Sequence, residues 1–410
     1  MIRVPGDKSI AHRALMLALL ADGRSTLRGV PDGLDVAATR RAVETLGARV
    51  TIDGDTLVVD GTGGALTVQA HLDCANSGTT MRLLTGLLAT RAVHAILDGD
   101  TSLRARPMRR VTEPLAAFGA RIRTSAEGTA PLDVRGNPDA QGGTVDLALT
   151  SAQLRAAVLL AALGAHGTTT LPPRSGVRDH TERLLRHAGV ALEELPDATR
   201  LTGPAPVRPF ALDVPGDLSS AAFLLAAAAV VPGASVTVED VGINPTRTAF
   251  LDVLRRFGAI VEVYADAQEP EPRGRITVTG AALHAVHIGA AEAPLLIDEL
   301  PLVGILGAFA HGTTVVEGAA ELRVKESDRI SAFADAARAV GATVTTAPDG
   351  FAVEGPARFR SAAIVTRGDH RIAMAFSVLA HAASIRVRLD DEDCIAVSYP
   401  GFADALAAVA

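Results

Sequence analysis

Val4-Pro5-Gly6-Asp7-Lys8-Ser9 is echoed at Val214-Pro215-Gly216-Asp217-Leu218-Ser219. Each copy is followed by an apolar, helix-like run, a turn containing glycine and a strand-like segment. The same grammar marks further helix starts at Gly78, Ser151, Asp298 and Asp369. Successive starts lie about 70 residues apart, longer than solenoid repeats and sized for a small αβ unit. Gly23-Arg24-Ser25-Thr26-Leu27, Gly167-Thr168-Thr169-Thr170-Leu171, Gly233-Ala234-Ser235-Val236-Thr237 and Gly312-Thr313-Thr314-Val315-Val316 read as turns entering strands. Leu46-Gly47-Ala48, Phe118-Gly119-Ala120, Phe257-Gly258-Ala259 and Val340-Gly341-Ala342 read as the ends of second helices, with glycine past the last turn and a strand beyond.

Six such units, with the strongest echo at residues 4 and 214, predict two similar halves of three units each. The chain then crosses between halves twice, near Asp7 and Asp217, so one domain is discontinuous: residues 1–7 with 216–410, against 8–215. Pro-Gly at both crossings suits a turn that could act as a hinge.

Composition narrows the class. A chain of 410 residues is too long for one core, and 48% apolar with 21% charged residues fits a globular protein. The net charge of −7 and dispersed arginines give no expectation of nucleic acid binding. The longest apolar run, Ala221 to Val231, is far shorter than the roughly 20 residues of a membrane span. No signal-peptide pattern precedes the Lys8 cluster, and Cys74 and Cys394 make neither a disulfide framework nor a metal site of the usual ligand number. The expectation is a cytoplasmic enzyme that touches neither membrane nor nucleic acid.

Only two of the 39 basic residues are lysines, Lys8 and Lys325, and each lies in a polar cluster: Asp7-Lys8-Ser9 with His12 and Arg13, and Arg323-Val324-Lys325-Glu326-Ser327-Asp328-Arg329. An ammonium is a compact charge with a tunable pKa, whereas a guanidinium is a planar fork that stays charged. Two positions spared from an otherwise arginine-based composition point to an active site.

The residues opening the six helices are Lys8-Ser9, Asn76-Ser77-Gly78-Thr79-Thr80, Ser151-Ala152-Gln153, Gly216-Asp217-Leu218-Ser219-Ser220, Asp298-Glu299 and Asp369-His370-Arg371. Taken singly they are ordinary caps. Together they are rich in Lys, Arg, Gln and Gly, which capping does not require. Several helix N-termini around one ligand would offer backbone N–H groups and positive dipole ends to an anion. Arg13, Arg82, Arg106, Arg178, Arg329 and Arg371 each lie close to a motif start, more cation than one carboxylate needs, so two anionic substrates are the natural inference. No phosphate loop, dinucleotide fingerprint or nucleophile elbow is present, and His12 and His370 lack partners at metal-ligand spacing. Asp298, Glu326 and Asp369 are the acids near these cations. Lys325 and Glu326 read as adjacent residues on a helix start, and acid beside ammonium in a dry site could transfer protons.

These motifs resemble the 5-enolpyruvylshikimate-3-phosphate synthase family. The residues that carry the likeness run in order from residue 2 to about residue 402: Gly6 to Ala14, Asn76 to Arg82, Ser151-Ala152-Gln153, Arg178 to Glu182, Arg323 to Arg329 and Asp369 to Ala375. The resemblance implies an α/β fold of the α+β type. Its two similar domains would each hold three repeated βαβαββ-like units in an inside-out α/β barrel, with the active site in the interdomain cleft. It implies transfer of the enolpyruvyl group of phosphoenolpyruvate to the 5-hydroxyl of shikimate 3-phosphate, through a tetrahedral intermediate that loses phosphate, with no metal or organic cofactor, and the expected state is a monomer. Shikimate 3-phosphate would be held by Lys8, Ser9, Arg13, Ser151, Ala152, Gln153, Arg178, Asp298 and Lys325. Phosphoenolpyruvate would be held by Lys8, Asn76, Gly78, Arg106, Gln153, Arg329 and Arg371. Asp298 would take the proton of the 5-hydroxyl and Glu326 would protonate the methylene carbon, with Lys8 and Lys325 completing the catalytic set. Gly78 would let phosphoenolpyruvate, or the family inhibitor glyphosate, approach the helix N-terminus where a Cβ would intrude.

Val397 stands where some members of the family place a lysine, Leu83 where some have proline, and Arg174-Ser175-Gly176-Val177 is longer than in many. Two other readings are a UDP-N-acetylglucosamine enolpyruvyl transferase and a catalytically silent anion-binding paralogue. The first usually carries a reactive cysteine in the loop corresponding to Asp100–Pro107, which has none here. The second is disfavoured because every catalytic motif position is filled.

Overall fold

Asp7 and Asp217 do the same local work at the two copies of the opening motif. Each is extended, and its carboxylate accepts a backbone N–H of the helix it begins: Ile10 N at 3.0 Å in one case and Ser219 N at 2.8 Å in the other. The helices that follow, Lys8–Leu20 and Leu218–Ala229, are buried on all sides beyond the first turn, which is why neither shows a polar stripe. A computed structural model describes residues 1–147 and 151–409. The chain divides into two units, Met1–Pro5 with Pro215–Ala410, and Gly6–Val214, each around its own apolar core.

Within Gly6–Val214 one strand scheme occurs three times. The first sheet runs Ala211–Asp213, Arg24–Arg28, Thr56–Asp60, Arg49–Asp53, with the first pair parallel and the others antiparallel. The second runs Gln69–Asp73, His94–Asp98, Leu132–Arg135, Arg121–Arg123 in the same senses. In the third, parallel bridges Gln141↔His166 and Thr144↔Thr170 stand in for the edge strand beside Gly167–Leu171, which pairs antiparallel with Thr199–Gly203 and onward to Leu192–Glu194. Each unit thus reads βαβαββ, its first helix leading back to a strand parallel to the edge. Helices Gly78–Ala89 and Ala152–Ala162 meet at Gly86, where a Cβ would lie 2.1 Å from the Ala157 carbonyl oxygen. Only glycine admits that approach.

The other unit repeats the scheme with Ile2–Arg3, Ser235–Gly242, Arg273–Thr279, Ile260–Ala267, and again with His287–Ile288, Gly312–Val316, Gly350–Gly355, Thr343–Ala347. The strands beside the two opening motifs are therefore exchanged. Ile2–Arg3, which precedes the helix Lys8–Leu20, pairs with the sheet that follows Leu218–Ala229. Ala211–Asp213, which precedes Leu218–Ala229, pairs with the sheet that follows Lys8–Leu20.

Two sequence expectations need correction. The sixth unit is not βαβαββ: among the described residues it has Ala362–Ile364, the helix His370–Ala383, the parallel strand Val387–Leu389 and the helix Phe402–Ala407, with no antiparallel pair. Lys325 and Glu326 do not open a helix either. A 3₁₀ turn, Ala320–Val324, precedes Lys325, and the helix Arg329–Ala339 starts behind Asp328, whose carboxylate accepts Ser331 N at 3.1 Å. Several cap-competent residues occur in a row there, and Asp328 takes the role. The four glycines assigned to helix ends, Gly47, Gly119, Gly258 and Gly341, do adopt positive φ.

Candidate active site

In Gly6–Val214 the starts of three buried helices are tied together by side chains. Lys8 Nζ donates to Asp35 Oδ2 at 3.1 Å, with both side chains more than four-fifths buried. Asp35 belongs to the first turn of the helix Leu34–Thr45, and its backbone carbonyl accepts Thr80 Oγ1 from the next helix at 3.4 Å. Thr80 is also bonded to Ser77 Oγ, at 2.7 Å, and to Thr39 Oγ1, at 2.7 Å, and Thr39 meets His12 Nδ1 at 2.7 Å. Burial drives the His12 imidazole down from 6.5 to about 4. The carboxylates of Asp35 and Asp7 oppose that shift, and the charges of Lys8 and Arg13 add to it. His12 is therefore neutral at pH 7.

Arg13 is buried, its Nη1 on the Ser9 carbonyl at 2.7 Å and its Nε on Thr181 Oγ1 at 2.8 Å. Thr181 lies in the helix His180–His187, and Arg178 is half-buried two residues ahead of that helix. From the second helix start, Arg82 Nη1 donates to Gln153 Oε1 at 2.8 Å, and Gln153 Nε2 returns to Thr79 Oγ1 at 3.0 Å. Ser151 caps the third helix through Leu154 N at 3.4 Å, placing Ala152 at its first position. Arg106 Nη2 donates to Asn76 Oδ1 at 2.6 Å, and Asn76 Nδ2 to Asp100 Oδ2 at 2.7 Å.

Gly78 is where these cations crowd. A Cβ there would stand 3.0 Å from Arg82 Nη1 and 3.3 Å from Arg106 Nη1. The glycine keeps two guanidiniums beside a helix N-terminus, a combination suited to a compact dianion.

The second cluster lies in the other unit. Arg329 is almost wholly buried. Its Nε donates to Asp369 Oδ2 at 2.8 Å, its Nη2 is hydrogen-bonded to Glu326 Oε2, and its Nη1 lies 3.8 Å from Asp298 Oδ1. Burial works against its charge, and the three carboxylates outweigh burial and hold the guanidinium above its ordinary range. Asp369 is fully buried, caps the helix His370–Ala383 through Arg371 N at 3.0 Å and accepts Ser327 Oγ at 2.9 Å. Burial alone would raise its carboxyl, but Arg329 leaves it below the usual range. Arg371 donates from Nη1 to the Asp298 carbonyl at 3.0 Å, and its Nε is 3.8 Å from Asp298 Oδ1.

Asp298, Glu326, Arg329 and Arg371 are thus brought together. Lys325 is not tied to them by a side-chain bond and pairs instead with Glu321 at 3.1 Å. The supporting residues Asp35, Thr39 and Arg155 are not singled out by the sequence, and Thr181 and Glu182 are there only as part of the motif Arg178 to Glu182; the buried pair Arg155–Glu182 is 2.6 Å apart at the start of the helix His180–His187. Their one sequence signal is position: Asp35 and Glu182 each fall in the first turn of a helix. No group of three or more His, Cys, Asp or Glu side chains suited to a metal occurs among the described residues, and none of the described helices is long and apolar enough to cross a membrane.

A family model described as EPSP synthase (3-phosphoshikimate 1-carboxyvinyltransferase) matches residues 1–406. A 3-phosphoshikimate 1-carboxyvinyltransferase of Anaeromyxobacter sp. (strain Fw109-5) is 47% identical over 405 residues, covering 98% of this chain and 94% of the relative. One from Geobacter sulfurreducens is 43% identical, covering 100% of this chain and 96% of its own length. Among solved structures, EPSP synthase from Acinetobacter baumannii superposes with a TM-score of 0.86 at 36% identity, covering 100% of this chain and 95% of that one. An enolpyruvyl transferase from Streptomyces tendae, at 21% identity and a TM-score of 0.79, shares the fold. A full-length family match, together with relatives well above 40% identity, places this chain in the EPSP synthase (3-phosphoshikimate 1-carboxyvinyltransferase) family.

Proposed function

We propose that the chain transfers the enolpyruvyl group of phosphoenolpyruvate to the 5-hydroxyl of shikimate 3-phosphate and releases inorganic phosphate, a step of aromatic amino acid biosynthesis. The observation that carries this reading is that the family's motif residues gather, unit by unit, into two charged clusters at helix starts. Lys8, Arg82, Arg106 and Gly78 belong to one, and Asp298, Glu326, Arg329 and Arg371 to the other.

On this reading Ser9, Arg13, Ser151, Ala152, Gln153, Arg178 and Lys325 hold shikimate 3-phosphate with Lys8 and Asp298. Asn76, Gly78, Arg106, Arg329 and Arg371 hold phosphoenolpyruvate with Lys8 and Gln153. Asp298 takes the 5-hydroxyl proton as the oxygen attacks C2 of phosphoenolpyruvate, while Glu326 delivers a proton to C3, turning the methylene into a methyl. In the second step the Glu326 carboxylate takes a proton back from that methyl, the C2–C3 double bond reforms, the bond from C2 to the phosphate oxygen breaks and the departing phosphate takes up the proton held by Asp298. The tetrahedral intermediate carries both phosphates and a carboxylate in one place, so fixed cations stabilise it more than they stabilise either substrate. Arg329 shares its guanidinium between Glu326 and Asp298, which keeps the donor and the acceptor of protons on one rigid support.

Neither cysteine suits the chemistry of the sister transferase. Burial, with Asp73 and Asp98 nearby, pushes the Cys74 thiol well above its usual range, and burial pushes Cys394 up to about 12. The test is phosphate release with shikimate 3-phosphate and phosphoenolpyruvate, using Glu326→Gln and Lys8→Met as controls. Turnover in the parent that collapses in both variants is expected. An inactive parent, or two fully active variants, would reject the reading.

A further inference from the structure

The repeated opening motif is used differently in the two units. Ser9 is half-buried at the start of its helix and is assigned to a substrate. Its counterpart Ser219 is buried and hydrogen-bonded on two sides. The Ser219 hydroxyl accepts Arg247 Nη2 at 2.9 Å and donates to Glu299 Oε1. Arg247 Nη2 also reaches Asp217 Oδ1 at 3.2 Å, so the guanidinium is anchored to the helix cap. Glu299 Oε1 in turn lies 4.0 Å from Arg371 Nη1, the same nitrogen that donates to the Asp298 carbonyl. Asp217, Ser219, Arg247, Glu299 and Arg371 are all more than nine-tenths buried.

We infer that Glu299, held by Ser219, which Arg247 in turn supports, is a positioning residue that orients Arg371 for phosphoenolpyruvate. The argument is geometric. Arg371 has a long side chain whose planar fork must face an incoming anion, and freezing such a side chain is entropically costly unless the protein has already done it. A buried carboxylate on one edge of the fork and the Asp298 carbonyl on the same nitrogen fix its plane before substrate arrives. Glu299 is itself a charge out of water, and it is tolerable there because Ser219 donates to it and two guanidiniums lie close by. A carboxylate placed only for stability would not need to face a ligand-binding arginine, and residues that support a ligand-binding group from behind are worth large factors in affinity.

The inference rests on the enolpyruvyl-transfer reading and is tested in the full-length chain by steady-state kinetics, varying each substrate against saturating amounts of the other. Glu299→Gln keeps the shape and removes the charge. It should raise the KM for phosphoenolpyruvate about tenfold while the KM for shikimate 3-phosphate moves less than about twofold. Arg247→Met should reproduce that split and Arg247→Lys should largely restore the parent value. A change confined to folding would lower the melting temperature and the active fraction and leave both KM values alone. Should Glu299→Gln fail to fold, Ser219→Ala removes only a hydroxyl and carries the same expectation. An unchanged phosphoenolpyruvate KM in a folded variant, beside an active parent, overturns the inference and leaves the enolpyruvyl-transfer reading standing. A parent without phosphate release overturns both.

Discussion

Arg329 and Asp369 form an ion pair, Nε to Oδ2 at 2.8 Å, in which the side chains keep 1% and 0% of their exposure. Breaking a pair so deeply buried typically costs about 3–5 kcal/mol, and Glu326 and Asp298, which stay beside Arg329, hold the loss to the lower end of that range. Asp369→Asn should therefore lower the unfolding free energy obtained from urea denaturation at pH 7 by that order, whereas an exposed control such as Asp252→Asn should leave it unmoved. The pH dependence follows from the direction of the shift. The folded carboxyl lies below its ordinary value of 3.8, so its contribution is complete at neutral pH and is lost as pH falls from there through the folded value. The Asp369→Asn variant should lose less stability than the parent over that acid range.

His12 gives a second, separable pH effect. Its folded value is about 4 against 6.5 for the ordinary group, so between those limits the unfolded chain binds the extra proton. Stability should fall as pH drops through that window, by up to about 1.4 kcal/mol per pH unit. His12→Asn should flatten this part of the stability curve. An imidazole seen by NMR to titrate near 6.5 in the folded protein would contradict the assignment.

Gly78→Ala places a methyl against Arg82 Nη1 and Arg106 Nη1. Both guanidiniums must give way, so the phosphoenolpyruvate KM and, more steeply, the inhibition constant of glyphosate should rise, while the shikimate 3-phosphate KM changes little. Inhibition assays at fixed substrate ratios decide this, and equal effects on both substrates would remove Gly78 from the phosphoenolpyruvate site.

Lys8→Arg and Lys325→Arg keep charge and change shape. Lys8 sits in a small, largely buried pairing with Asp35, which a guanidinium overfills. Each change should lower kcat/KM by about a hundredfold or more in phosphate release. Near-parent activity in either variant would take that lysine out of the site.

Much of this architecture could be read from residues one turn apart. Five of the six helix starts are visible because a side-chain N-cap acts over two or three residues, as Ser77 does on Thr80 and Asp369 on Arg371, whereas Leu300–Phe309 starts without one. The partners that hold the site residues are a different matter. Arg13 meets Thr181, Arg82 meets Gln153 and Ser219 meets Glu299 across long stretches of chain, and no local pattern encodes which distant hydroxyl or carboxylate a given cation will find. The segment Arg178 to Glu182 shows the limit well. The sequence assigns a ligand role to Arg178 alone, and the structure adds that Thr181 holds Arg13 and that Glu182 is buried against Arg155. The placement of Lys325 and Glu326 failed for a related reason: Ser327 and Asp328 are both able to cap, and only packing selects Asp328.

The exchanged edge strands carry a consequence for how the molecule is made. Ile2–Arg3 is synthesised before Gly6–Val214, but its register partners Val238 and Glu239 are synthesised only after all of that unit. Forming that two-residue ladder closes a loop containing an entire unit, whose own first sheet is completed by Ala211–Asp213 near its end. Loop closure costs more as the intervening chain lengthens, although slowly, and a folded insert brings the loop's ends closer than a disordered one would. The order of synthesis therefore favours an order of assembly, with the inserted unit forming first and the strand Ile2–Arg3 captured last. A gene cut after residue 214 would deprive the later unit of its first strand. A variant with residues 6–214 deleted, joining residue 5 directly to residue 215, would return it.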